Sequence, residues 1–390
     1  MKGIFRKTVA CRKALTALWT MMSLSLAAVL PALAADQKAS SAGWAHTVEA
    51  ARREGQVTIY GSVSPMLILE AGVFQKRYPE IKVVTVAMGR SSNAVERLMA
   101  ERRANKYLAD VIISGSSSPT MLHRAGALSP IKPVLVLPEV VDQSKWWNGK
   151  HSYTDEGQKY VFMYMGHPQT GGIYYNTKLV DPKEITSFWD FLNPRWKGKI
   201  EARDVSSPGA GSSNMKFFYY NPEIGPKFIT RLFSEMDITL FRDRRQSVDW
   251  LVTGKYSICF FCLPSEIGRA RVQGLPVGTF GLLKEGAGLT THSGTLGLID
   301  KAPHPNAAKV FINWLLSREG QTTFQRAYVN ANVGASNSLR IDIPKDYVPP
   351  EERLQDGVNY VEVEIPGRMS TAPMIKLFKE AVAMKQRKPR

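Results

Sequence analysis

At 390 residues the chain is too long for one ordinary hydrophobic core and long enough for two. Its 44% hydrophobic and 22% charged residues exclude the disordered, fibrous and polytopic membrane classes. The formal net charge is +17, but the basic residues are scattered rather than massed in one segment, which argues against a nucleic-acid partner.

The amino terminus reads as a signal peptide over residues 1–34. Lys2, Arg6, Lys7, Arg12 and Lys13 precede an apolar run from Ala14 to Leu33, and Ala32-Leu33-Ala34 supplies a small-residue cleavage site. The competing reading is an uncleaved membrane anchor, which Pro31 and the small residues disfavour. Cleavage after Ala34 removes five basic residues and no acidic ones, taking the net charge from +17 to +12. An exported, periplasmic protein is expected. The basic cluster from Lys385 to Arg390 reads as a solvated tail.

Strand-like runs at Val57 to Tyr60, Ile81 to Val86 and Asp110 to Ile113 are rich in β-branched residues. Helical segments separate them. Ser64-Pro65 reads as a cap with proline in the first turn, and Tyr78-Pro79 as the stop of that helix. Val95, Leu98 and Met99 form the apolar face of the next, with Asn93 and Glu96 as its capping pair. Such β-α-β-α-β order means a parallel sheet with helices on both faces and ligands beyond the carboxyl ends of the strands. A loop-like stretch from Pro130 to Gly157 leads to the apolar run Tyr160 to Met165, and Ile173 to Asn176 reads as a strand crossing to a second unit. That unit has strands at Lys199 to Arg203 and Tyr256 to Phe261, with helices near Ser213 to Tyr220, Pro222 to Phe233 and Arg244 to Val252. The chain then returns through Gly286 to Gly297 to a helix with Ala307, Val310, Phe311, Trp314 and Leu315 on one face, and Ser317 opens another. One excursion and one return predict an α/β protein of two lobes joined by two crossovers: residues 55–169 with 286–339, and residues 170–285. Residues 340–390 are left as a C-terminal extension.

Several phrases in this order resemble the ferric-ion, thiamine and phosphonate type of extracellular solute-binding proteins of ABC importers. They are Gly55 to Ser62 (GQVTIYGS), Phe74 to Val83 (FQKRYPEIKV), Tyr174 to Leu179 (YYNTKL) and, most specific, Ala302 to Gln321 (APHPNAAKVFINWLLSREGQ). The resemblance spans Gly55 to Ala327. It implies a type II periplasmic-binding fold, each lobe a mixed, mainly parallel sheet flanked by helices, closing on a small-molecule ligand and read by ABC permease subunits in the inner membrane. It also implies a monomer with no cofactor and no catalysis. A sensor for a membrane histidine kinase is the alternative on the same fold. A ferric or other metal transporter is another, but the tyrosine pair that ferric binders place after the strand Tyr256 to Phe261 is replaced by Cys259-Phe260-Phe261-Cys262.

The ligand candidates are polar loops that feed helices at strand ends, where free N–H groups and the helix dipole favour anionic or strongly polar solutes. In the first lobe these are Ser62 and Ser64, Ser91 and Ser92, and Ser116 and Ser117 in the run Ser114 to Ser118. The second lobe offers Arg203 and the stretch Ser206 to Ser213, with Ser207, Gly209, Ser212 and Ser213. Taken singly, each serine is also an ordinary cap or turn residue. Arg244 and Arg245 open a helix, a poor place for cations unless an anion is near, so Arg244 is a candidate clamp. Cys259 and Cys262 allow a disulfide, though three-residue spacing on a continuous strand points the side chains to opposite faces and would need a bulge. A redox motif would need a helix N-terminus at Cys259. A soft-ligand role at Cys262 is the third reading, and buried structural cysteine the default. The six histidines show no i, i+4 pairing, and no nucleophile elbow, P-loop or dinucleotide fingerprint is present.

Overall fold

A computed structural model describes residues 42–387 except Arg90, Pro208 and 332–335. The signal-peptide segment lies outside the described residues. Among those described, no helix is long and apolar enough to cross a membrane.

Helix α1 (residues 42–54) leads into β1 (Gln56–Ser62), α2 (Val63–Glu70), β2 (Lys82–Met88), α3 (Ser91–Arg103), β3 (Val111–Ser114), α4 (Ser117–Arg124) and β4 (Leu128–Ser129). α5 (Pro138–Val141), β5 (Ser152–Tyr153), β6 (Val161–Met163) and β7 (His167–Gln169) follow. Next come β8 (Tyr174–Asn176), β9 (Ile200–Arg203), α6 (Ala210–Tyr220), α7 (Gly225–Glu235), β10 (Thr239–Phe241), α8 (Arg244–Val252), β11 (Ile258–Phe260), α9 (Pro264–Val272) and β12 (Val277–Thr279). The chain ends through β13 (Ala287–Thr290), β14 (Thr295–Ile299), α10 (Pro305–Leu316), α11 (Arg318–Asn330), β15 (Tyr360–Glu362) and α12 (Ala372–Arg387). The N-cap of α2 is Ser62, two residues before the expected cap at Ser64, and α3 starts ahead of Asn93. α2 also stops well short of Tyr78, where a glycine with positive φ, Gly72, ends it in turns.

The first sheet runs β2-β1-β3-β14-β6-β5, with β4 also on β14. Its first three strands are parallel and β14 is antiparallel to both neighbours, so β1, β3 and β6 share one carboxyl edge. α10 is almost wholly buried against this sheet, with Phe311 and Trp314 meeting Phe74 edge-on. Two acids, Asp110 fully buried and Glu54 half-buried, hold its amino end by accepting backbone N–H groups that would otherwise be orphan donors. Asp110 accepts from Thr58 and His304 at 2.7 Å each, and Glu54 accepts from Asn306 and Ala307 at the start of α10.

The second sheet runs β10-β9-β11-β8-β12. Its core is aromatic, with Phe188, Phe217, Phe218, Phe228 and Phe260 in mutual contact. β8, expected as the crossing strand, lies inside this sheet between β11 and β12. The crossing is β7, and two glycines with positive φ, Gly171 and Gly172, turn the chain from one to the other. A side chain at Gly171 would run into the Phe218 ring, so close packing as well as φ requires glycine.

A third, small sheet, β15-β13-β7, carries the traffic between the lobes. β7 leaves the first lobe and β13 returns to it, the two crossovers expected. β15 adds a third. Residues 336–341 first pack on the first lobe, where Arg340 is fully buried and holds Asp342 through two bonds of 2.8 and 2.9 Å. The chain then crosses at β15, and α12 docks on α7 and α6, placing Val361, Val363, Met374, Phe378 and Ala381 in the second core. The C-terminal extension is therefore integral to both lobes.

Strand β11 ends at Phe260 because Phe261 has φ of 60°, a conformation that breaks the ladder. The break carries Cys262 back to Cys259, and the two form a disulfide, both sulfurs buried. Beside it, Glu201 is fully buried on β9, in register with Cys259, and neither carboxyl oxygen has a hydrogen-bond partner. Desolvation pushes its carboxyl up to about 9 against the attraction of Lys255.

Phe378→Ala removes a side chain lodged 4.8 Å from the Phe233 ring and should cost about 3–5 kcal/mol by urea unfolding, whereas a peripheral extension would lose almost nothing. For Glu201, the folded chain keeps a proton that the unfolded chain releases, so its contribution favours folding at low pH and is lost as pH rises from about 4.5 toward about 9. Glu201→Gln should flatten stability across that window; an unchanged slope would show that the carboxyl is ionised in place.

Candidate functional site

The carboxyl edges of both sheets lie at the ends that β7 connects. β6 runs out of the first sheet at its carboxyl edge, and β8 enters the second beside the carboxyl end of β11. Loops at these edges therefore flank the hinge, the place where ligands sit in open α/β sheets.

On the first lobe, β1 and β3 come so close that a side chain at Gly61 would overlap the Ile113 carbonyl. Ser62 is the N-cap of α2 and Ser116 that of α4, and neither hydroxyl caps its helix. Neither N-cap side chain thus occupies the positive end of its helix. Ser62 and Ser64 are half-buried, Ser116 is buried and Ser117 is exposed. The side chains of Ser91 and Ser92, which open α3, lie outside the described residues. A side chain at Gly115 would press on the His292 carbonyl, and Thr295 donates to the Ser114 carbonyl at 2.7 Å, so the serine loop is held against the β13–β14 turn.

On the second lobe, Arg203 ends β9 half-buried, its stem against Gly211 and its guanidinium carbon 5.8 Å from the Phe241 ring centroid. Ser207 and Gly209 are exposed, and Ser213 is half-buried. Ser212 belongs to the helix instead of to a ligand: its hydroxyl accepts from the Gly209 N–H and donates to the Gly209 carbonyl, both at 3.0 Å. The start of α8 carries a carboxylate of its own. Asp243 caps α8, accepting from the Arg245 and Gln246 N–H groups at 2.8 and 2.9 Å, and these bonds hold its carboxyl below the usual range. The Arg244 side chain lies outside the described residues. Cys262 is withdrawn as a soft ligand, since its sulfur is buried and bonded to Cys259.

Sequence reasoning missed a polar group at the hinge. His167 on β7 stacks on His292 with centroids 4.2 Å apart, and its Nδ1 lies 3.4 Å from Glu352. Glu364 accepts from the Thr290 hydroxyl and the Thr291 N–H at 2.8 and 2.9 Å. Lys216 of α6 is buried, and desolvation lowers its pKa against the pull of Glu364. Gln169 donates to Asn214 at 2.9 Å. These residues sit on separate segments, and no spacing rule links them. Tyr174 and Tyr175 are buried in β8, and Tyr219 and Tyr220 pack on each other edge-on. Among the described residues no group of three or more His, Cys, Asp and Glu is placed to hold a metal ion.

No curated protein sequence matches the chain. Solved structures do. IdiA (FutA) of Trichodesmium, in complex with iron and citrate, superposes with a TM-score of 0.60 at 18% identity, covering 84% of this chain and 99% of that one. A Bordetella ferric binding protein gives 0.57 at 18% identity, covering 85% and 98%. AfuA of Actinobacillus pleuropneumoniae, with fructose-6-phosphate bound, gives 0.52 at 17%, covering 86% and 99%. These likenesses show the fold, the two-lobed type II periplasmic-binding architecture. A family model for bacterial extracellular solute-binding proteins matches residues 56–328, from the first residue of β1 into the last turn of α11. The chain belongs to the bacterial extracellular solute-binding proteins, a family that binds its solutes rather than converting them.

Proposed function

We propose that this protein is the periplasmic receptor of an ABC importer, and that it takes a small anionic or strongly polar solute between its lobes and hands it to the permease subunits in the inner membrane. Residues 55–169 with 286–339 form one jaw and 170–285 the other, with the C-terminal segment spanning both. The protein acts as a monomer. The observation that carries the reading is the pair of uncapped helix starts at Ser62 and Ser116, with Arg203 at the corresponding edge of the other sheet. Helix-start N–H groups, helix dipoles and a guanidinium together suit a carboxylate or phosphate oxygen.

Iron transport is the second reading, because IdiA (FutA) was solved with iron and citrate and the Bordetella protein is a ferric binding protein. The stretch Cys259 to Pro264, where the resemblance calls for a tyrosine pair, holds no tyrosine, and the tyrosine pairs present are packed elsewhere, so an iron site would need other oxygens.

A thermal-shift screen across phosphate esters, carboxylates, cations and neutral sugars tests the reading. Saturation at a hundredfold over Kd stabilises the folded state by about 2.7 kcal/mol, so carboxylate or phosphate solutes should raise the melting temperature by several degrees. A response confined to cations contradicts it. By calorimetry, Arg203→Ala should weaken the responding solute about tenfold to a hundredfold, the loss of a charge-assisted bond of about 1.5–3 kcal/mol. Unchanged affinity removes Arg203 from the site.

A further inference from the structure

We propose that His292 contacts the solute at the floor of the cleft, and that an anionic solute binds together with one proton held by the stacked pair His292 and His167. This rests on the receptor reading and assigns a role to residues outside the serine and arginine loops.

The geometry is specific. His167 is buried, its ring nearly parallel to that of His292, at 7°. Its Nδ1 faces Glu352, and its Nε2 is buried with no hydrogen-bond partner. His292 sits in the left-handed region, φ 49°, so that its carbonyl backs onto Gly115 of the serine loop while the residue as a whole remains exposed. One ring is thus presented outward and the other is sealed behind it. The charged groups around the pair are few. Glu352 approaches His167, Glu364 is locked by Thr290 and Thr291 beside His292, and Lys216 faces Glu364 from α6.

In the empty cleft the exposed His292 ring offers a lone pair or an N–H to a solute. The bond to His167 holds the Glu352 carboxyl below its ordinary range, so an anion already stands behind the pair. A solute anion in front of His292 places the stack between two negative charges, which favours its protonated form. Two imidazolium rings 4.2 Å apart repel, so the pair takes one proton as a unit. By linkage, binding draws a proton from solvent and affinity rises as pH falls.

The test is titration calorimetry with inorganic phosphate and with citrate, at pH about 6 and about 8, in buffers of different ionisation enthalpy. Wild type should take up protons on binding and bind at least about tenfold more tightly at the lower pH, since one fully coupled proton gives about tenfold per pH unit. His292→Gln, a change at an exposed ring that leaves the melting curve intact, should abolish the uptake and the pH dependence; His167→Gln should reproduce the loss. Proton-independent binding of both probes, binding unaltered in His292→Gln, or binding of neither probe overturns the proposal. Should a neutral polar solute bind and close the lobes without proton exchange, the proposal fails and the receptor reading stands; if only cations bind, or no solute of any class, both fail.

Discussion

The structure depends on how little backbone joins its two cores. Three short strands, β7, β13 and β15, carry every crossing among the described residues, and their contacts leave almost no room for side chains. A side chain at Gly286 would overlap the Asn359 carbonyl, and one at Gly288 would meet Gln169, Phe217 and Val363 at 3.2–3.3 Å. Such a ribbon keeps its register yet can flex at its ends, because each strand is only three or four residues long. Everything proposed about capture follows from this. The loops that could hold a solute stand at the carboxyl edges beside the ribbon, where a small rotation brings them together.

The third strand alters the mechanics. With two crossings the second lobe would hang from the first; with β15 and α12 it is also held from the far end of the chain. Phe378 and Met374 lie in its aromatic core, and each buried side chain of this size contributes about 1.5–3 kcal/mol. The C-terminal segment that ties the lobes together also delivers Glu352 and Glu364 to the hinge. Stability of the second lobe and polarity of the cleft floor share one stretch of sequence.

The alternation of strands and helices was legible because β-branched runs and helix punctuation are local signals. β1, β3, β9, β11 and α10 all stand within a few residues of their expected places. The crossing strand was misplaced, since Tyr174 to Asn176 is as apolar as a strand inside a sheet and His167-Pro168-Gln169 carries no strand signature. Residues 340–390 were illegible for a related reason: their partners are distant in sequence, and the short β15 pairs with β13 alone. The disulfide turned on a single left-handed Phe261, which composition does not announce. In the site, serine loops showed themselves through glycine and hydroxyl clustering. The His167–His292 stack did not, because only the tertiary fold brings the two rings together.

The central claim is that the lobes move as two bodies about the hinge ribbon when a polar solute enters. Spin labels at Met121→Cys on α4 and Val272→Cys at the end of α9, both exposed, report the distance between the lobes directly. Pulsed-resonance measurement should give a distribution that shortens and narrows when a stabilising carboxylate or phosphate solute is added. A distribution unchanged by every solute that raises the melting temperature would contradict the account.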